Sequence, residues 1–445
     1  KTVTIKPNTG VTSAISGASA SSMVFLIKDS NVFIDGSNSA GGTSRDLTIT
    51  NTSTTSPQVV RIGSTGTTPI TNVTLKNCIL INGANTSTAV TVYAADGTAG
   101  YFNNITIQNN SIQKAYMGIY NLAVAATGNG SGLLITQNDM NSTGTDAIRL
   151  VGVYVQGVDG ATISYNNIGN MNNTVDASNY SGIWFATGTV NSTISGNIIN
   201  GMTSTTAAPR GIAVSSGISP SNVNITGNTI NNLTTSYSSP PYGIYVFGTT
   251  TGVNVNENKV STLLNSNTGG YGARGINIQT GLAASSINVL NNFVWDIKCT
   301  GDVAQTYWNM GIGMDGITGG VNIQFNSVNL YGTYAGYNSA TNSAALYLGT
   351  GTGFDIRNNI LVNSFDNTTV TTDKAYAIYT AGTNAGFTTI NYNDYYVSGT
   401  PGVLGFLTAD VTTLGDWQTA TTQEANSVNG DPFFESNENL HIQTS

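Results

Sequence analysis

Charged residues are scarce in this chain: only 8% of its 445 residues are Asp, Glu, Lys or Arg, and the formal net charge is −8. A protein that binds nucleic acid needs clustered positive charge, so the composition argues against that partner. It also disfavours a long polyanionic glycan, unless Ca²⁺ or a local basic patch compensates, and no Ca²⁺-binding motif is present. No apolar run approaches the roughly 20 residues of a membrane-spanning helix, so no membrane insertion is expected.

Cysteine and histidine are almost absent. The two cysteines, Cys78 and Cys299, are separated by about seven of the repeats that fill the chain. Stacked strands advance by roughly 4.8 Å each, so about 30 Å would separate these residues and an intrachain disulfide is excluded. Cys78 stands where later repeats have Asn and is expected to be a buried thiol. The single histidine, His441, lies beyond the repeats and is interpreted as a surface residue of a closing strand.

Asparagine is abundant instead, and it recurs at one place in a repeated phrase. The phrase is an apolar residue, two variable residues, Asn, one variable residue and a residue that is usually apolar, as in Ile225-Thr-Gly-Asn228-Thr-Ile230. Copies follow one another at intervals of 28 to 34 residues. The recurring residues are Asn110, Asn138, Asn166, Asn197, Asn228, Asn258, Asn292, Asn326, Asn359 and Asn393. A period of this size indicates a solenoid of stacked repeats rather than two or three ordinary domains.

Each repeat contains two strand signals and no helical pattern between them. The first signal alternates apolar and polar residues before the Asn, as in Asn222-Val-Asn-Ile225, and suits a strand with one buried face. The second is a small residue, an apolar residue, a variable residue and usually another apolar residue. Its copies begin at Gly118, Ala147, Gly182, Gly211, Gly243, Gly275, Gly311, Ala345 and Ala377. The lack of helices excludes a βαβ fold, and a four-stranded propeller blade would need about 40–45 residues.

These patterns predict an all-β protein: a single right-handed parallel β-helix of roughly 12–14 coils, capped at both ends. Residues 1–30 are assigned to an N-terminal cap, residues 31–400 to the β-helix and residues 401–445 to a closing segment, all within one structural domain. A short helix is expected near residues 412–420, with Trp417 over the last coil. The recurring Asn is predicted to face inward as a ladder whose amides bond the coils above and below.

The amino-acid sequence of several segments resembles that of known protein families. Over about residues 30–400, the repeat is similar to the pectate-lyase-like parallel β-helix proteins. Ile34-Asp-Gly-Ser-Asn38 and the closing Asp416-Trp417 and Asp431-Pro-Phe433 are similar to large secreted surface proteins of Gram-negative bacteria. This resemblance implies an extracellular or cell-surface location and export by type IX secretion. It says little about activity, because the fold hosts lyases, hydrolases, tailspikes and adhesins.

Residues for catalysis are few. Hydrolases of the superfamily resemble one another in clustered aspartates with a His and a basic pair, whereas the aspartates of this chain are scattered. Lyases of the superfamily use Arg or Lys as the base. The candidates are Arg149, Arg210 and Arg274, with Tyr242 between the last two in the same register. An Arg-Tyr-Arg row could grip a uronate carboxylate and abstract a proton; the alternative is a set of stacked surface side chains.

Aromatic residues collect at the outward position of the second strand. Along the stack this position holds Tyr120, Arg149, Trp184, Ala213, Tyr245, Asn277, Gly313, Tyr347 and Tyr379. Such rings can stack on sugars or dock a partner, and the alternative is that long loops cover them. The candidate glycan- or partner-binding residues are Tyr120, Trp184, Tyr245, Tyr347 and Tyr379.

We therefore favour a non-catalytic extracellular structural or adhesive module that needs no cofactor. Its expected partner is an extracellular glycan or a protein of the cell surface or secretion machinery. The alternative is a polysaccharide lyase or another carbohydrate-active enzyme acting on an extracellular glycan.

Overall fold

The chain is an all-β parallel β-solenoid of about 11 turns with one short helix near its C-terminus. The structure, a computed structural model, describes residues 1–93, 98–125, 130–177, 179–300, 308–334, 342–367 and 373–443. The predicted fold class, a right-handed parallel β-helix, is confirmed, with slightly fewer turns than the roughly 12–14 expected. Among the helices in these residues, none is long and apolar enough to span a membrane.

Two compact units are distinguished within the chain. The first comprises residues 1–173, 179–202 and 214–224, and the second comprises residues 174–178, 203–213 and 225–445. Each unit contains three sheets, and successive strands of the chain enter the first, second and third sheet in turn. The strands Ile198–Ser204, Arg210–Val214 and Val223–Thr226 contain points at which the chain passes from one unit to the other.

Short strands make up the three sheets of the first unit. Its first sheet contains Val3–Ile5, Val32–Asp35, Ile70–Lys76, Phe102–Gln108, Gly130–Ser131, Leu134–Thr136, Thr162–Ser164 and Thr193–Ser195. Its second sheet contains Ser13–Gly17, Leu47–Asn51, Cys78–Ile81, Ser111–Gln113, Asp139–Met140 and Asn167–Asn173. Its third sheet contains Met23–Ile27, Gln58–Ile62, Val90–Val92, Met117–Leu122, Val151–Gln156 and Ser181–Phe185. A 3₁₀ turn spans Gly144–Asp146.

The second unit repeats this arrangement. Its first sheet contains Val253–Asn256, Ile287–Leu290, Val321–Gln324, Phe354–Arg357 and Phe387–Asn391. Its second sheet contains Thr229–Thr235, Lys259–Asn265, Phe293–Cys299, Ser327–Tyr334, Ile360–Asn367 and Asp394–Val397. Its third sheet contains Tyr242–Phe247, Arg274–Gln279, Asn309–Met314, Ser343–Leu348, Ala375–Thr380, Gly402–Leu407 and Ala409–Val411. Asn384–Gly386 forms a second 3₁₀ turn, and Leu414–Thr421 forms the α-helix.

Parallel pairing in register gives each unit an apolar interior. In the second unit, Val289 pairs with Ile323 and Ile356 pairs with Ile390, and all four side chains are fully buried. Alternation along each strand turns the intervening polar residues outward. Residues 1–30, assigned above to a cap, contain three strands that pair in parallel with those beginning at Val32, Leu47 and Gln58. The N-terminal residues therefore follow the same coiled course as the repeats.

The recurring asparagines form the predicted internal ladder. All ten are at most 1% exposed. In the first unit, the Asn138 Oδ1 accepts hydrogen bonds from the backbone N–H and the side-chain amide of Asn110, both at 3.0 Å. The Asn138 amide in turn donates to Asn166 Oδ1 of the next coil and to Ile107 O of the preceding one. Each amide thus satisfies backbone groups at a bend that has no water to replace it.

Cys78 takes the place of an asparagine at the start of the ladder, as its sequence position predicted. Its backbone N–H donates to Asn110 Oδ1 at 3.0 Å, and its Sγ lies 3.1 Å from Lys76 O. The thiol is buried and free, and burial raises its pKa to about 12. Cys299 is also buried, and its Sγ lies 3.5 Å from the side-chain amide of Asn309.

The residue immediately before each ladder position has a left-handed backbone, which was not foreseen from the sequence. These residues are Asn77, Asn109, Gln137, Tyr165, Gly196, Gly227, Glu257, Asn291, Phe325, Asn358 and Tyr392, with φ between 50° and 65°. Glycine or asparagine adopts this conformation at little cost, whereas bulky residues do so rarely. Tyr165, Phe325 and Tyr392 nevertheless hold it with side chains that are 53–68% exposed.

The C-terminal helix confirms the expectation near residues 412–420. Leu414–Thr421 begins after Thr413, whose Oγ1 accepts the backbone N–H of Asp416 at 3.2 Å, the usual N-cap bond. Trp417 is fully buried and packs near Phe387 and Tyr395 of the last coils, with ring centroids 6.5 and 6.3 Å away. The helix therefore closes the apolar interior of the second unit at its C-terminal end.

A buried carboxylate lies under this helix. Glu424 is fully buried and accepts hydrogen bonds from the Tyr395 hydroxyl, the Ser427 hydroxyl and the Trp417 indole, the last at 3.1 Å. Ser427 also accepts the backbone N–H of Asn393, so it ends the asparagine ladder. Burial raises the pKa of Glu424 above its usual 4.5, against the opposing effect of these hydrogen bonds.

Because the folded state raises the pKa of Glu424, it binds the proton more tightly than the unfolded chain does. The resulting stability is fully present below the unfolded pKa and is lost as pH rises through the folded pKa. We expect the urea midpoint of the wild type, relative to Glu424→Gln, to fall as pH rises from about 4.5 into the neutral range. A difference that stays constant with pH would contradict this.

Candidate functional site

The outward face of the third sheet in the second unit carries two rows of side chains, called here the first and second rows. The first row stands at the strand starts and contains Arg210, Tyr242, Arg274, Met310, Ala344, Tyr376 and Val403. The second row lies three residues further along each strand and contains Tyr245, Asn277, Gly313, Tyr347, Tyr379 and Phe406. The arginines therefore lie at one end of these rows, and aromatic rings lie at both ends.

The predicted Arg-Tyr-Arg register is present in the first row. Tyr242 pairs with Arg274, and the backbone N–H of Arg274 donates to the carbonyl oxygen of Pro241 at 3.0 Å. The Tyr242 N–H donates to Pro209 O at 2.9 Å in the same way, which places Tyr242 beside Arg210. Tyr242 and Arg274 are each only 8% exposed, whereas Arg210 is half-buried.

Arg274 is neutralised within the protein. Its guanidinium forms an ion pair with Asp315 and lies 3.4 Å from Asn277 Oδ1. The Asn277 amide donates to the same carboxylate of Asp315 at 3.1 Å. Both charges of this group are largely buried, so the three side chains form a fixed polar cluster rather than a free cation.

Arg210 is held differently, although it belongs to the same row. Its guanidinium lies 5.5 Å from the ring centre of Tyr245 and 5.2 Å from that of Phe247, within cation–π range. Its buried Nε has no hydrogen-bond partner, and within the described part of the chain it forms no ion pair. Burial lowers the pKa of Arg210, because the guanidinium has lost water without gaining a counterion. It nevertheless stays protonated at neutral pH.

The second row has a gap between its aromatic residues. Tyr245 and Tyr347 are separated by Asn277, which is fully buried, and Gly313, which has no side chain. A Cβ atom at Gly313 would lie 2.8 Å from Asn277 Oδ1, so a larger residue would have to displace this amide. The two tyrosines stand about 14 Å apart along the sheet, three strand spacings. The Arg274–Asn277–Asp315 cluster lines the gap between them.

The aromatic rings mostly stack on one another. Tyr242 stacks on Tyr245 and Tyr245 on Phe247, with centroids 4.2 and 4.5 Å apart. Tyr347 stacks on Tyr379 at 5.4 Å, and Trp308 lies 4.4 Å from Tyr379. These rings therefore offer edges and hydroxyl groups more than free faces, and Trp308 covers part of the row, as the loop-covering alternative expected.

In the first unit, the outward aromatic row differs from the one predicted. Tyr120 stacks on Tyr154 at 4.9 Å, and Tyr154 meets Trp184 edge to face at 5.1 Å. Tyr154 pairs in register with both, so it occupies the position predicted for Arg149, and that prediction was wrong. The 3₁₀ turn Gly144–Asp146 lengthens this corner and the strand begins only at Val151.

Arg149 consequently lies outside the third sheet, with its guanidinium 5.0 Å from the ring centre of Tyr116. Tyr154 could have been found from Gly152-Val-Tyr154-Val, which also follows the small–apolar–variable–apolar pattern. Burial raises the pKa of Tyr154 to about 12. The predicted members Ala213, Asn277 and Gly313 are buried, so they present no side chain for binding.

The electrostatics of the second-unit site favour binding over proton abstraction. Burial raises the pKa of Tyr242, although Arg274 opposes this, and burial also raises the pKa of Tyr245. A tyrosine with a raised pKa holds its proton at neutral pH and is a poor general base. No group of three or more His, Cys, Asp or Glu side chains suited to a metal ion occurs among the residues that the structure describes.

Comparison with known proteins finds similarity at the level of structure only. No protein-family model matches the chain, and no curated protein sequence matches it. The A-module of the Azotobacter vinelandii mannuronan C-5 epimerase AlgE6 is 14% identical with a TM-score of 0.43, covering 96% of this chain and 90% of that one. The AlgE4 A-module is 12% identical, with a TM-score of 0.44 and coverage of 97% and 91%.

The tailspike protein of E. coli bacteriophage HK620 is a third similar structure. It is 12% identical with a TM-score of 0.41, covering 98% of this chain and 72% of that one. At identities of 12–14% and TM-scores of 0.41–0.44, these similarities carry no information about what this chain binds.

Proposed function

We propose that this β-helix is a non-catalytic extracellular module that binds an acidic glycan on the outward face of the third sheet in its second unit. The observation that carries the proposal is Arg210, a half-buried cation between aromatic rings with no protein counterion among the described residues. Desolvating a charge without pairing it is costly, and a carboxylate from a ligand would supply the missing partner.

The neighbouring groups suit a sugar. Tyr245 donates its hydroxyl to Gln279 at 2.6 Å, so hydroxyl and amide groups lie beside Arg210. The partly exposed carboxylate of Asp315 lies beyond, at the gap in the second row, where it can accept hydrogen bonds from sugar hydroxyls. Among the described residues of this site, Arg210 is the one cation without a counterion, which suits a sparsely acidic glycan better than a dense polyanion.

The lyase alternative requires a general base among these residues. Abstraction of a proton next to a uronate carboxylate needs a group that can give up its own proton first. Arg274 is engaged by Asp315, and Tyr242 and Tyr245 have raised pKa values. The remaining candidate, Arg210, is a cation at neutral pH and is better suited to holding the carboxylate than to removing a proton.

Replacing Arg210 by Gln is expected to weaken binding of an acidic oligosaccharide by roughly 10- to 100-fold, the loss of a charge-assisted hydrogen bond. The measurement is calorimetric titration with an oligosaccharide that carries one 4-linked uronate among neutral sugars, and with the same oligosaccharide after its carboxyl group is reduced to an alcohol. The reduced form should bind the wild type and Arg210→Gln equally weakly.

Arg357→Gln is the matched control, because it removes one positive charge that is already paired with Asp355 at 2.6 Å. Its affinity should match that of the wild type. Equal binding by Arg210→Gln and the control would contradict the proposed site. Release of unsaturated uronate product, detected by its ultraviolet absorbance and lost in Arg210→Gln, would instead establish the lyase.

The extracellular location and export by type IX secretion rest on the resemblance of the closing segment to bacterial surface proteins, and they form part of the proposal. Detection of the protein at the surface of intact source cells, by labelling with a reagent that does not cross membranes, would test the location. The glycan-binding proposal does not depend on that export route.

A further inference from the structure

A polar cavity of about 330 Å³ lies on a different face of the second unit, against the second sheet. Its floor contains the outward row Asn329, Val362 and Tyr396, which are paired in register. Ser364 and Ser398 extend this floor along the next outward position. The cavity is therefore built on rigid strands, at the small end of the range typical for small-ligand sites.

The roof of the cavity is the C-terminal segment 431–443, called here the closing hairpin. An isolated antiparallel bridge joins Phe434 to Ile442, and Gln443 N–H donates to Phe433 O at 2.9 Å. The Asn329 amide donates to Asn437 O at 3.2 Å, which ties the hairpin to the floor. The edge-to-face contact of His441 with Phe293 at 5.1 Å adds a second tie, and His441 is exposed as predicted.

The lining combines uncharged hydrogen-bonding groups with apolar surface. The lining residues of the hairpin are Asp431, Pro432, Phe433, Phe434, Ser436, Asn437 and Gln443. No Lys, Arg or His is among the residues that line the cavity. Within the described part of the chain, the Tyr396 and Ser398 hydroxyls have no hydrogen-bond partner, and one Asp431 oxygen accepts only the Phe433 N–H. A ligand with several hydroxyl groups would satisfy these atoms.

Phe433 is the most exposed aromatic residue at this cavity. It is 64% exposed and holds a left-handed backbone with φ of 50°, which bulky residues adopt rarely. Because this ring is exposed at the edge of the cavity, it is available to contact a ligand. Together with Pro432 and Val362, it supplies the apolar surface on which the C–H face of a sugar ring can lie.

We propose that the cavity between the second sheet and the closing hairpin is a second carbohydrate site, which takes one or two residues of a neutral glycan. The absence of cationic side chains from the lining argues against an acidic sugar, and Asp431 would repel one. The site is independent of Arg210 and of the acidic-glycan proposal. Two sites of different preference would let the module recognise a mixed polymer through combined weak contacts.

The test is calorimetric titration of the intact chain with the neutral trisaccharides cellotriose, maltotriose, mannotriose and chitotriose. At least one of them should bind, and Phe433→Ala should weaken that binding by roughly tenfold or more. Ser398→Trp, which fills the cavity from its floor, should weaken it similarly. Arg210→Gln should leave the binding of the neutral trisaccharide unchanged. The experiment therefore tests this site independently of the acidic-glycan site.

Ile442→Ala is the matched control, because Ile442 is an exposed apolar residue of the same hairpin (55% exposed) outside the cavity lining. It should bind like the wild type, with an unchanged circular dichroism spectrum for all variants. If none of the four trisaccharides binds at roughly millimolar concentrations, or if Phe433→Ala and Ser398→Trp both bind normally, the proposal is overturned.

Discussion

Replacement of Asn326 by leucine is expected to lower the free energy of unfolding by about 2–6 kcal/mol, because it orphans two buried backbone groups at about 1–3 kcal/mol each. The Asn326 Oδ1 accepts the backbone N–H of Asn292 at 3.0 Å, and its amide donates to Val289 O at 2.9 Å. Leucine has the same number of side-chain heavy atoms and the same branching but serves neither group. Neither water nor a neighbouring side chain can reach these atoms, since Asn292 and Val289 are fully buried.

Urea denaturation measures the loss, with hydrogen exchange of the Asn292 amide as a local readout. Asn322→Leu is the matched control: this residue is four positions away, exposed, and its amide bonds only the Asn288 side chain at 2.7 Å. The control should change the stability by no more than about 0.5 kcal/mol. Equal midpoints for the two variants, with the Asn292 amide still protected in Asn326→Leu, would show that the ladder does not stabilise the coils.

The ladder could be predicted from the sequence because every coil needs the same hydrogen bonds at the same bend. A bend that recurs in every coil presents the same backbone groups each time, and an inward amide meets them in every coil. The same residue is therefore needed at each repeat, which makes it visible as a period. The apolar strands and Trp417 were predictable for a similar reason, since burial demands apolar residues at fixed spacing.

The candidate site could be predicted only in part. The register of Arg210, Tyr242 and Arg274 follows from the repeat, but the partner of Arg274 does not. Asp315 is 41 residues further along the chain and belongs to no repeated phrase, so only the folded structure shows that it neutralises one arginine and leaves the other. That difference decides which of the two cations is available to a ligand.

Irregular corners limited the prediction elsewhere. Arg149 was assigned to the third sheet because Ala147-Ile-Arg-Leu150 fits the strand pattern, yet these residues follow the Gly144–Asp146 turn as irregular chain and the strand begins at Val151. Extra residues inserted within one coil shift the side chains that follow out of register with the neighbouring coils. The local sequence pattern of these residues can stay the same. The cavity under the closing hairpin was not foreseen either, because its floor belongs to the repeats and its roof, residues 431–443, lies beyond them with no shared period.

Removal of the Trp417 side chain is the change with the largest expected effect on the C-terminal end. Trp417→Ala should lower the free energy of unfolding by about 3–5 kcal/mol, the usual loss for a fully buried aromatic residue. The indole is 0% exposed, and a Cβ atom on Gly405 would lie 2.9 Å from it, so the last coil is shaped to receive it. Glu424 would also lose an N–H donor that lies 3.1 Å from its carboxylate.

Trp295→Ala provides the comparison, because Trp295 faces outward on the second sheet and is only half-buried. It should cost clearly less than Trp417→Ala in urea denaturation. Trp417→Ala should also self-associate in light scattering, because loss of the indole exposes the apolar side chains that it covers at the last coils, Phe387 and Tyr395. Equal losses of stability in Trp417→Ala and Trp295→Ala, without self-association, would show that the helix does not close the apolar interior of the last coils.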